Sequence, residues 1–305
     1  MWPSAGYALL KDSMSPSKAT EHAAGEPGRR LSWPLLGWMG LLLVLCHAPV
    51  LARLVRQWYR DEDMGHGFFV PVVVAYLVWQ KRGELLELKP APSWWGLALV
   101  LYAALQSYVA NLGAELFLAR TAFVLSLIGT VLALGGWAYL RALVFPLFLL
   151  FLMVPIPSVI YNQITLPLQL LASRLAEHSL SWMGIPVVRE GNVLELPSQS
   201  LSVVEACSGI RSLLSLTFLS LVYGYLFDRR VGMRIVLLAA TVPIAIAANA
   251  GRVTITGLLS EYRSDLAEGF FHLAEGWVIF LAALAALLVL HRLLNLILRV
   301  RHGRH

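Results

Sequence analysis

The chain has 305 residues, of which 58% are hydrophobic and 14% are charged. Soluble domains carry about 25% charged residues, so this composition excludes an ordinary soluble protein and indicates a polytopic membrane protein. The formal net charge of +6 does not indicate nucleic-acid binding, because the basic residues cluster in short flanks of apolar runs, as is typical of membrane topology signals.

Apolar runs of about 20 residues recur from residue 33 towards the C-terminus and predict eight transmembrane helices. The predicted spans are 33–52, 66–80, 93–112, 115–137, 139–160, 207–226, 233–258 and 272–294. No small-residue cleavage site follows the first span, which predicts a retained helix. The second span is the weakest prediction, because it is short and contains Pro71. The sequence therefore predicts an all-α polytopic membrane protein with an eight-helix domain over 33–294.

Outside the predicted spans, a charged loop runs from Arg53 to Gly67, other loops connect the helices, and three further segments carry predictions of their own. Residues 1–32 are polar and predict a flexible cytoplasmic tail, and residues 295–305 predict a basic cytoplasmic tail. Residues 161–206 predict a small elaboration at the outer face of the membrane. Its first half mixes apolar with polar residues, as in an amphipathic helix lying in the interface. Its second half predicts a short hairpin that turns at Gly191-Asn192.

The distribution of charged residues predicts the orientation of the chain. Eight spans put both termini on one side, and that side then holds 15 of the 24 Lys and Arg residues. The other side holds the remaining 9, together with 12 of the 18 Asp and Glu residues. The positive-inside rule therefore places both termini in the cytoplasm. Seven spans would destroy this separation of charge.

Each of the last three predicted spans carries one chemically reactive residue near the outer face. Cys207 opens the sixth span, Arg252 lies in the outer half of the seventh, and His272 opens the eighth. The helix dipole favours a thiolate at a helix N-terminus, and Arg211, four residues later, adds a positive charge. A charge inside the membrane is costly, which makes Arg252 a functional candidate. Together these groups could supply the nucleophile, the proton shuttle and the oxyanion stabiliser of an acyl transfer.

A structural interpretation of each residue also stays open. Cys207 could be a small apolar residue opening a buried helix. Arg252 could form a structural pair with Glu205, and His272 could hydrogen-bond an interfacial loop. If His272 is functional, Glu268 or Glu275 could orient its imidazole.

The remaining cysteine and histidine candidates give weaker signals. Cys46 and His47 are adjacent, so they point in different directions from a helix, and packing is the favoured interpretation. His66, in the first outer loop, stays open between a structural role and contact with a substrate. Two cysteines far apart in the sequence indicate neither a disulfide framework nor a zinc site, and we expect no metal and no cofactor.

At these residues the sequence resembles the exosortase/archaeosortase family of integral-membrane cysteine transpeptidases. The matching segments are Glu205-Ala-Cys207-Ser-Gly-Ile-Arg211-Ser, Asn249-Ala-Gly-Arg252, Phe271-His272, Glu275-Gly-Trp277 and, upstream, Gly65-His66-Gly67-Phe68. The resemblance covers residues 35 to 290 approximately. It implies that Cys207 is the nucleophile, Arg252 the transition-state stabiliser and His272 the general acid/base.

The resemblance also implies a class of substrate and a location. The family acts on exported proteins whose C-terminal sorting signal combines a motif of the PEP-CTERM kind, one transmembrane helix and a basic tail. It implies a bacterial inner-membrane protein with its active site facing the periplasm, often associated with exopolysaccharide production. The acceptor of the acyl group, an amine, a glycan or water, stays open. Nothing in the chain resembles the polysaccharide-associated domain fused to some members.

A different class of function also stays open. A non-enzymatic transporter or polysaccharide-export component could use Arg252 and His272 to bind an anion. A transporter should tolerate Cys207→Ser, whereas thioester chemistry should not.

Overall fold

The computed structural model describes residues 33–203, 209–262 and 270–302, which are almost entirely helical. The helices in these ranges are α1 Trp33–Cys46, α2 Ala48–Arg60, α3 Phe69–Gln80, α4 Arg82–Glu87, α5 Trp94–Leu112, α6 Leu116–Gly135, α7 Trp137–Leu149, α8 Ser158–Trp182, α9 Ile210–Phe227, α10 Val231–Tyr262 and α11 Phe270–His302. Two 3₁₀ helices, Glu62–Phe68 and Leu150–Met153, precede α3 and follow α7. Three short strands, β1 Val188–Glu190, β2 Val193–Glu195 and β3 Ser200–Ser202, separate α8 from α9.

Five helices in the described residues are long and apolar enough to cross a membrane. They are α5, α6, α9, α10 and the Gly276–Arg299 part of α11. The pairs α1–α2 and α7–α8 are also long and apolar enough when each pair is taken together, but they are bent by 74° and 84°. The number of spans rises to seven if each bent pair is counted as one span. The chain is therefore an all-α polytopic membrane protein in contact with the bilayer, as predicted, and the count of eight stays a prediction.

The predicted second span, 66–80, corresponds to the first 3₁₀ helix and α3, and α3 alone is too short to be counted. At one end of this segment His66 Nε2 donates a 3.1 Å hydrogen bond to the carbonyl of Leu152, after α7. At its other end α4 meets the start of α7, where the Tyr139 hydroxyl donates to the carbonyl of Leu85 at 2.9 Å. The segment therefore extends between the same two ends of the helix bundle as α7 does. This supports the prediction that residues 66–80 cross the membrane.

Helix α2 occupies the end of the predicted first span and the first half of the predicted charged loop, 53–67. Its buried face consists of Val50, Leu54 and Trp58. Its exposed face carries Arg53, Arg56 and Arg60. A helix with one apolar and one basic face is typical of the membrane interface. The bend at His47 therefore ends the straight part of the first span at Cys46, rather than at residue 52 as predicted.

Helix α8, the sheet and the C-terminal half of α10 pack together at one end of the bundle. Their shared apolar cluster is formed by Ala176, Leu180, Ile185, Leu194, Leu196, Leu201, Val203 and Val253. The predicted hairpin is confirmed: β1 and β2 are antiparallel with Arg189 opposite Leu194. The third strand, β3, pairs with β2 and was not predicted. We call this assembly the outer cap, because the charge pattern predicts that it lies at the outer face of the membrane.

At the opposite end of the bundle, α9, α10 and α11 meet around the buried carboxylate of Asp228. This carboxylate accepts hydrogen bonds from Arg230 Nη2 at 2.9 Å and from His291 Nε2 at 3.1 Å. The backbone carbonyl of Asp228 accepts a 2.7 Å hydrogen bond from Arg234 Nε. The hydrogen bond from Arg230 is the main reason why the pKa of Asp228 lies well below its usual range. These contacts fix the three helices relative to one another.

We expect Asp228→Asn to lower the midpoint of thermal unfolding by roughly 5 °C, because it removes the charge that Arg230 and His291 share. The pKa of Asp228 is lower in the folded state than in the unfolded state. The ionised carboxylate therefore stabilises the fold fully at pH values above the ordinary aspartate pKa, and this stabilisation is lost as the pH falls below that pKa. The difference from wild type should therefore be constant near neutral pH and shrink below about pH 4. Thermal unfolding of the detergent-solubilised protein at several pH values measures both effects.

The matched control for this prediction is Glu87→Gln, an exposed carboxylate on α4. It should leave the midpoint unchanged. Equal midpoints for wild type and Asp228→Asn at neutral pH would contradict the structural role given to the Asp228 contacts.

Candidate active site

The start of α9, the middle of α10 and the start of α11 come together beside the outer cap. A Cβ atom added to Gly209 would lie 2.8 Å from Nδ2 of Asn249 on α10. A Cβ atom added to Gly276 on α11 would lie 3.5 Å from Cζ of Arg252. One face of α10, carrying Asn249 and Arg252, therefore contacts both neighbouring helices through glycine.

The structure describes only part of the predicted catalytic trio. Arg252 is described and partly buried, and its backbone carbonyl accepts a 3.0 Å hydrogen bond from Thr256 Oγ1. Cys207 and Glu205 lie outside the described residues, as does Glu268. His272 and Glu275 belong to α11, but their side chains lie outside the described part.

Chain connectivity limits how far the undescribed residues can be from this contact. Cys207 is two residues before Gly209, so their Cα atoms are at most about 7 Å apart. His272 is four residues before Gly276 in α11, so their Cα atoms are about 6 Å apart along the helix axis. Both predicted positions are therefore close in the chain to the two glycines that pack on α10.

A second set of contacts fixes the first turn of α9. The Oδ1 atom of Asp63, in the first 3₁₀ helix, accepts a hydrogen bond from Arg211 Nε at 3.3 Å. The hydroxyl of Tyr161, at the start of α8, also donates to the carboxylate of Asp63. Arg211, expected to add positive charge near the thiol, is thus paired with a carboxylate. The sequence analysis gave Asp63 and Tyr161 no role. The one sequence signal for Asp63 is its place in an acidic run just before the Gly-His-Gly segment.

The Gly65-His66-Gly67-Phe68 segment has a clear structural role. His66 is only 7% exposed, and its Nε2 hydrogen bond to the Leu152 carbonyl joins the two 3₁₀ helices. A Cβ atom added to Gly67 would lie 2.5 Å from Nε1 of Trp58, and that indole nitrogen donates to the carbonyl of Met153 at 2.9 Å. Of the two interpretations of His66, these contacts support the structural one.

A small, largely apolar depression lies between α8, α9 and α10. It is lined by Leu168, Gly209, Leu213, Val242, Ala245, Ile246 and Asn249. Among the described residues that line it, Asn249 has the only polar side chain, and Gly209 connects the depression to the segment that carries Cys207. The depression therefore adjoins the candidate site.

The described residues contain no group of three or more His, Cys, Asp or Glu side chains that could hold a metal ion. Because 204–208 and the side chains of 271–275 lie outside that search, the expectation of a metal-free site stays a prediction.

The fold and the site define a polytopic membrane protein with polar residues gathered where three helices meet the outer cap. The transmembrane exosortase family (Exosortase_EpsH) matches residues 58–289 of the chain. The match covers three quarters of the sequence and includes the Gly-His-Gly segment and all three predicted catalytic positions. The chain belongs to the transmembrane exosortase family, as its sequence motifs predicted. No curated protein and no solved structure matches the chain.

We expect Gly209→Ala to destabilise the protein. Gly209 has φ +67°, a conformation that costs an alanine about 1–2 kcal/mol, and the new Cβ would also press on Asn249. The midpoint of thermal unfolding in detergent should fall by roughly 4 °C or more.

Gly251→Ala is the control for this prediction. Gly251 lies next to Arg252 in α10, and a Cβ atom added to it would have no neighbour within 4 Å among the described residues. Its midpoint should stay the same or rise, since alanine favours the helix. A Gly209→Ala variant as stable as Gly251→Ala would argue against the Gly209–Asn249 contact.

Proposed function

We propose that this protein cleaves the C-terminal sorting signal of exported proteins at the outer face of the bacterial inner membrane. Cys207 is the nucleophile, Arg252 stabilises the transition state, and His272 is the general acid/base. Membership of the exosortase family supports a sorting transpeptidase in general. The specificity for signals of the PEP-CTERM kind and the roles of the three residues are the proposal.

The observation that carries the proposal is the packing of one face of α10 against two glycines. Asn249 contacts Gly209, two residues after Cys207, and Arg252 contacts Gly276, four residues after His272. The two contacts are one turn apart on α10, because Asn249 and Arg252 are separated by three residues. This spacing suits a reacting carbonyl bound between the start of α9 and the start of α11.

The proposed reaction has two balanced steps. The thiolate of Cys207 attacks the carbonyl carbon of the scissile amide, and the carbonyl oxygen becomes an oxyanion. His272 donates a proton to the leaving nitrogen as the C–N bond breaks, which leaves a thioester on Cys207 and frees the C-terminal tail as an amine. An incoming amine or water then loses its proton to His272 and attacks the thioester, and the thiolate is restored.

Arg252 is suited to stabilise the oxyanion. A guanidinium stays protonated in a protein and offers its N–H donors in a fixed plane. Arg252 is partly buried, and hydrogen bonds to a developing charge are stronger where water is excluded. Gly276, the residue of α11 that Arg252 contacts, contributes no side chain at this point.

The proposed substrate fits the proposed topology. The positive-inside pattern puts both termini in the cytoplasm and the outer cap in the periplasm. A substrate with one transmembrane helix and a basic tail would keep that tail in the cytoplasm for the same reason. Its recognition motif would then reach the membrane surface at the start of α9.

The test is cleavage of a tagged exported protein carrying a PEP-CTERM-type tail, co-expressed with this protein. We expect the reporter to lose the mass of its tail only when the exosortase is present. Mass spectrometry of the new C-terminus distinguishes hydrolysis, which leaves a free carboxylate, from transfer, which leaves an added amine. An unchanged reporter of full length would contradict the proposal.

A further inference from the structure

A buried arginine lies outside the candidate active site, near the start of α6. Arg120 is 4% exposed, and its Nε atom is enclosed with no hydrogen-bond partner among the described residues. A guanidinium remains charged in a protein, and a buried charge without a counter-ion is strongly unfavourable. Arg120 takes no part in the proposed acyl transfer, so its charge needs another explanation.

Helix α2 covers this part of α6. Val50 of α2 packs with Ala119, the residue before Arg120. Arg53, three residues after Val50, is exposed and near enough to repel the Arg120 guanidinium. The junction between α2 and α6 therefore brings two like charges together, one of them buried.

The acidic side chain that attracts Arg120 is Glu115, which precedes α6. Its Oε2 atom accepts a 2.6 Å hydrogen bond from the backbone nitrogen of Leu118 and so caps the helix. Within the described residues of this junction, one carboxylate faces the guanidinium groups of Arg120 and Arg53. The local charge is positive, and an added anion would reduce the repulsion.

The depth of Arg120 suits a phosphate group. It is four residues after Leu116, the first residue of α6, and therefore about 6 Å along the helix axis. The headgroup region of a bilayer is about 5–7 Å thick on each side, and a long arginine side chain can extend towards it. Helix α2, with its apolar and basic faces, is suited to the same region.

We propose that the junction of α2 and α6 binds a phosphate group, with Arg120 as its buried ligand and Arg53 as its exposed one. The guanidinium fork matches two phosphate oxygens, and the bound anion adds negative charge beside two guanidinium groups that face one carboxylate, Glu115, among the described residues. The phosphate can belong to a phospholipid headgroup or be inorganic phosphate, since the contacts are the same. This inference is independent of the proposed acyl transfer.

Native mass spectrometry of the full chain tests the site with phosphatidylglycerol as the probe. Wild type should retain one phosphatidylglycerol and less of the zwitterionic phosphatidylcholine. Loss of a charge-assisted contact should weaken retention about tenfold in Arg120→Gln and about threefold in Arg53→Gln. The control is Arg56→Gln, an exposed arginine of α2 whose Nε donates to the Ala52 carbonyl of its own helix, and it should leave retention unchanged.

Lipid-free protein with millimolar inorganic phosphate separates the two sources. A phosphate-dependent rise in the unfolding midpoint of wild type, absent in Arg120→Gln, would assign inorganic phosphate. Specific phosphatidylglycerol retention without that rise would assign the headgroup. The proposal is overturned if wild type shows neither effect, or if Arg120→Gln equals wild type in both. If Arg120→Gln does not fold, Arg53→Gln takes its place in the test, because the Arg53 side chain is exposed. The proposal is then overturned if Arg53→Gln retains phosphatidylglycerol and responds to phosphate as wild type does.

Discussion

Cys207→Ala is expected to reduce cleavage of the co-expressed sorting signal to below detection, a loss of at least about 10⁴-fold. The proposed mechanism forms a thioester on this sulfur, and alanine has no nucleophile to replace it. Immunoblotting of the tagged reporter, with the exosortase itself quantified in the membrane fraction, measures the effect.

Cys46→Ala is the matched control, since it removes the other cysteine. Cys46 is exposed at the end of α1 and forms no disulfide within the described residues. We expect this variant to cleave as wild type does. Wild-type cleavage by Cys207→Ala would contradict the nucleophile assignment and favour the transporter hypothesis.

Arg252→Lys is expected to lower the rate of cleavage by about 10²–10³-fold, the usual loss when one oxyanion donor is removed. Lysine keeps the charge but loses the planar fork of N–H donors, and its ammonium would not occupy the position of the guanidinium beside Gly276. A time course of reporter cleavage under single-turnover conditions measures the rate of the chemical step.

The control for Arg252 is Arg292→Lys, an exposed arginine on α11 far along the helix from Gly276. It should leave the rate unchanged. Thermal unfolding of Arg252→Lys separates catalysis from packing: a lower rate with an unchanged midpoint supports the oxyanion role. A rate within a factor of about two of wild type, too small for a lost oxyanion donor, would contradict that role.

The sequence predicted the class of fold because most of the predicted spans carry a local signal in the sequence. Runs of apolar residues mark spans such as α5 and α6, and the Gly191-Asn192 turn between alternating residues marks the hairpin. The third strand, Ser200–Ser202, is three residues long and carries no comparable pattern. The apolar spacing of α2 was present in the sequence, but its arginines favoured a loop.

The contacts between distant segments could not be predicted in the same way. Asp63 and Arg211 are 148 residues apart, and no local pattern shows that they form an ion pair. The convergence of the last three spans was predicted from membrane depth alone. Only the structure adds the lateral contacts of Asn249 with Gly209 and of Arg252 with α11.

The central claim, a thioester on Cys207, is tested most directly by trapping the acyl-enzyme. Purified protein would be mixed with a tail-bearing substrate, quenched in acid and digested, and the peptide containing Cys207 analysed by mass spectrometry. Our account predicts an adduct on Cys207 with the mass of the substrate up to the cleavage site, released by hydroxylamine and absent in Cys207→Ala. Cleavage of the substrate with Cys207 unmodified, or with the adduct on another residue, would contradict it.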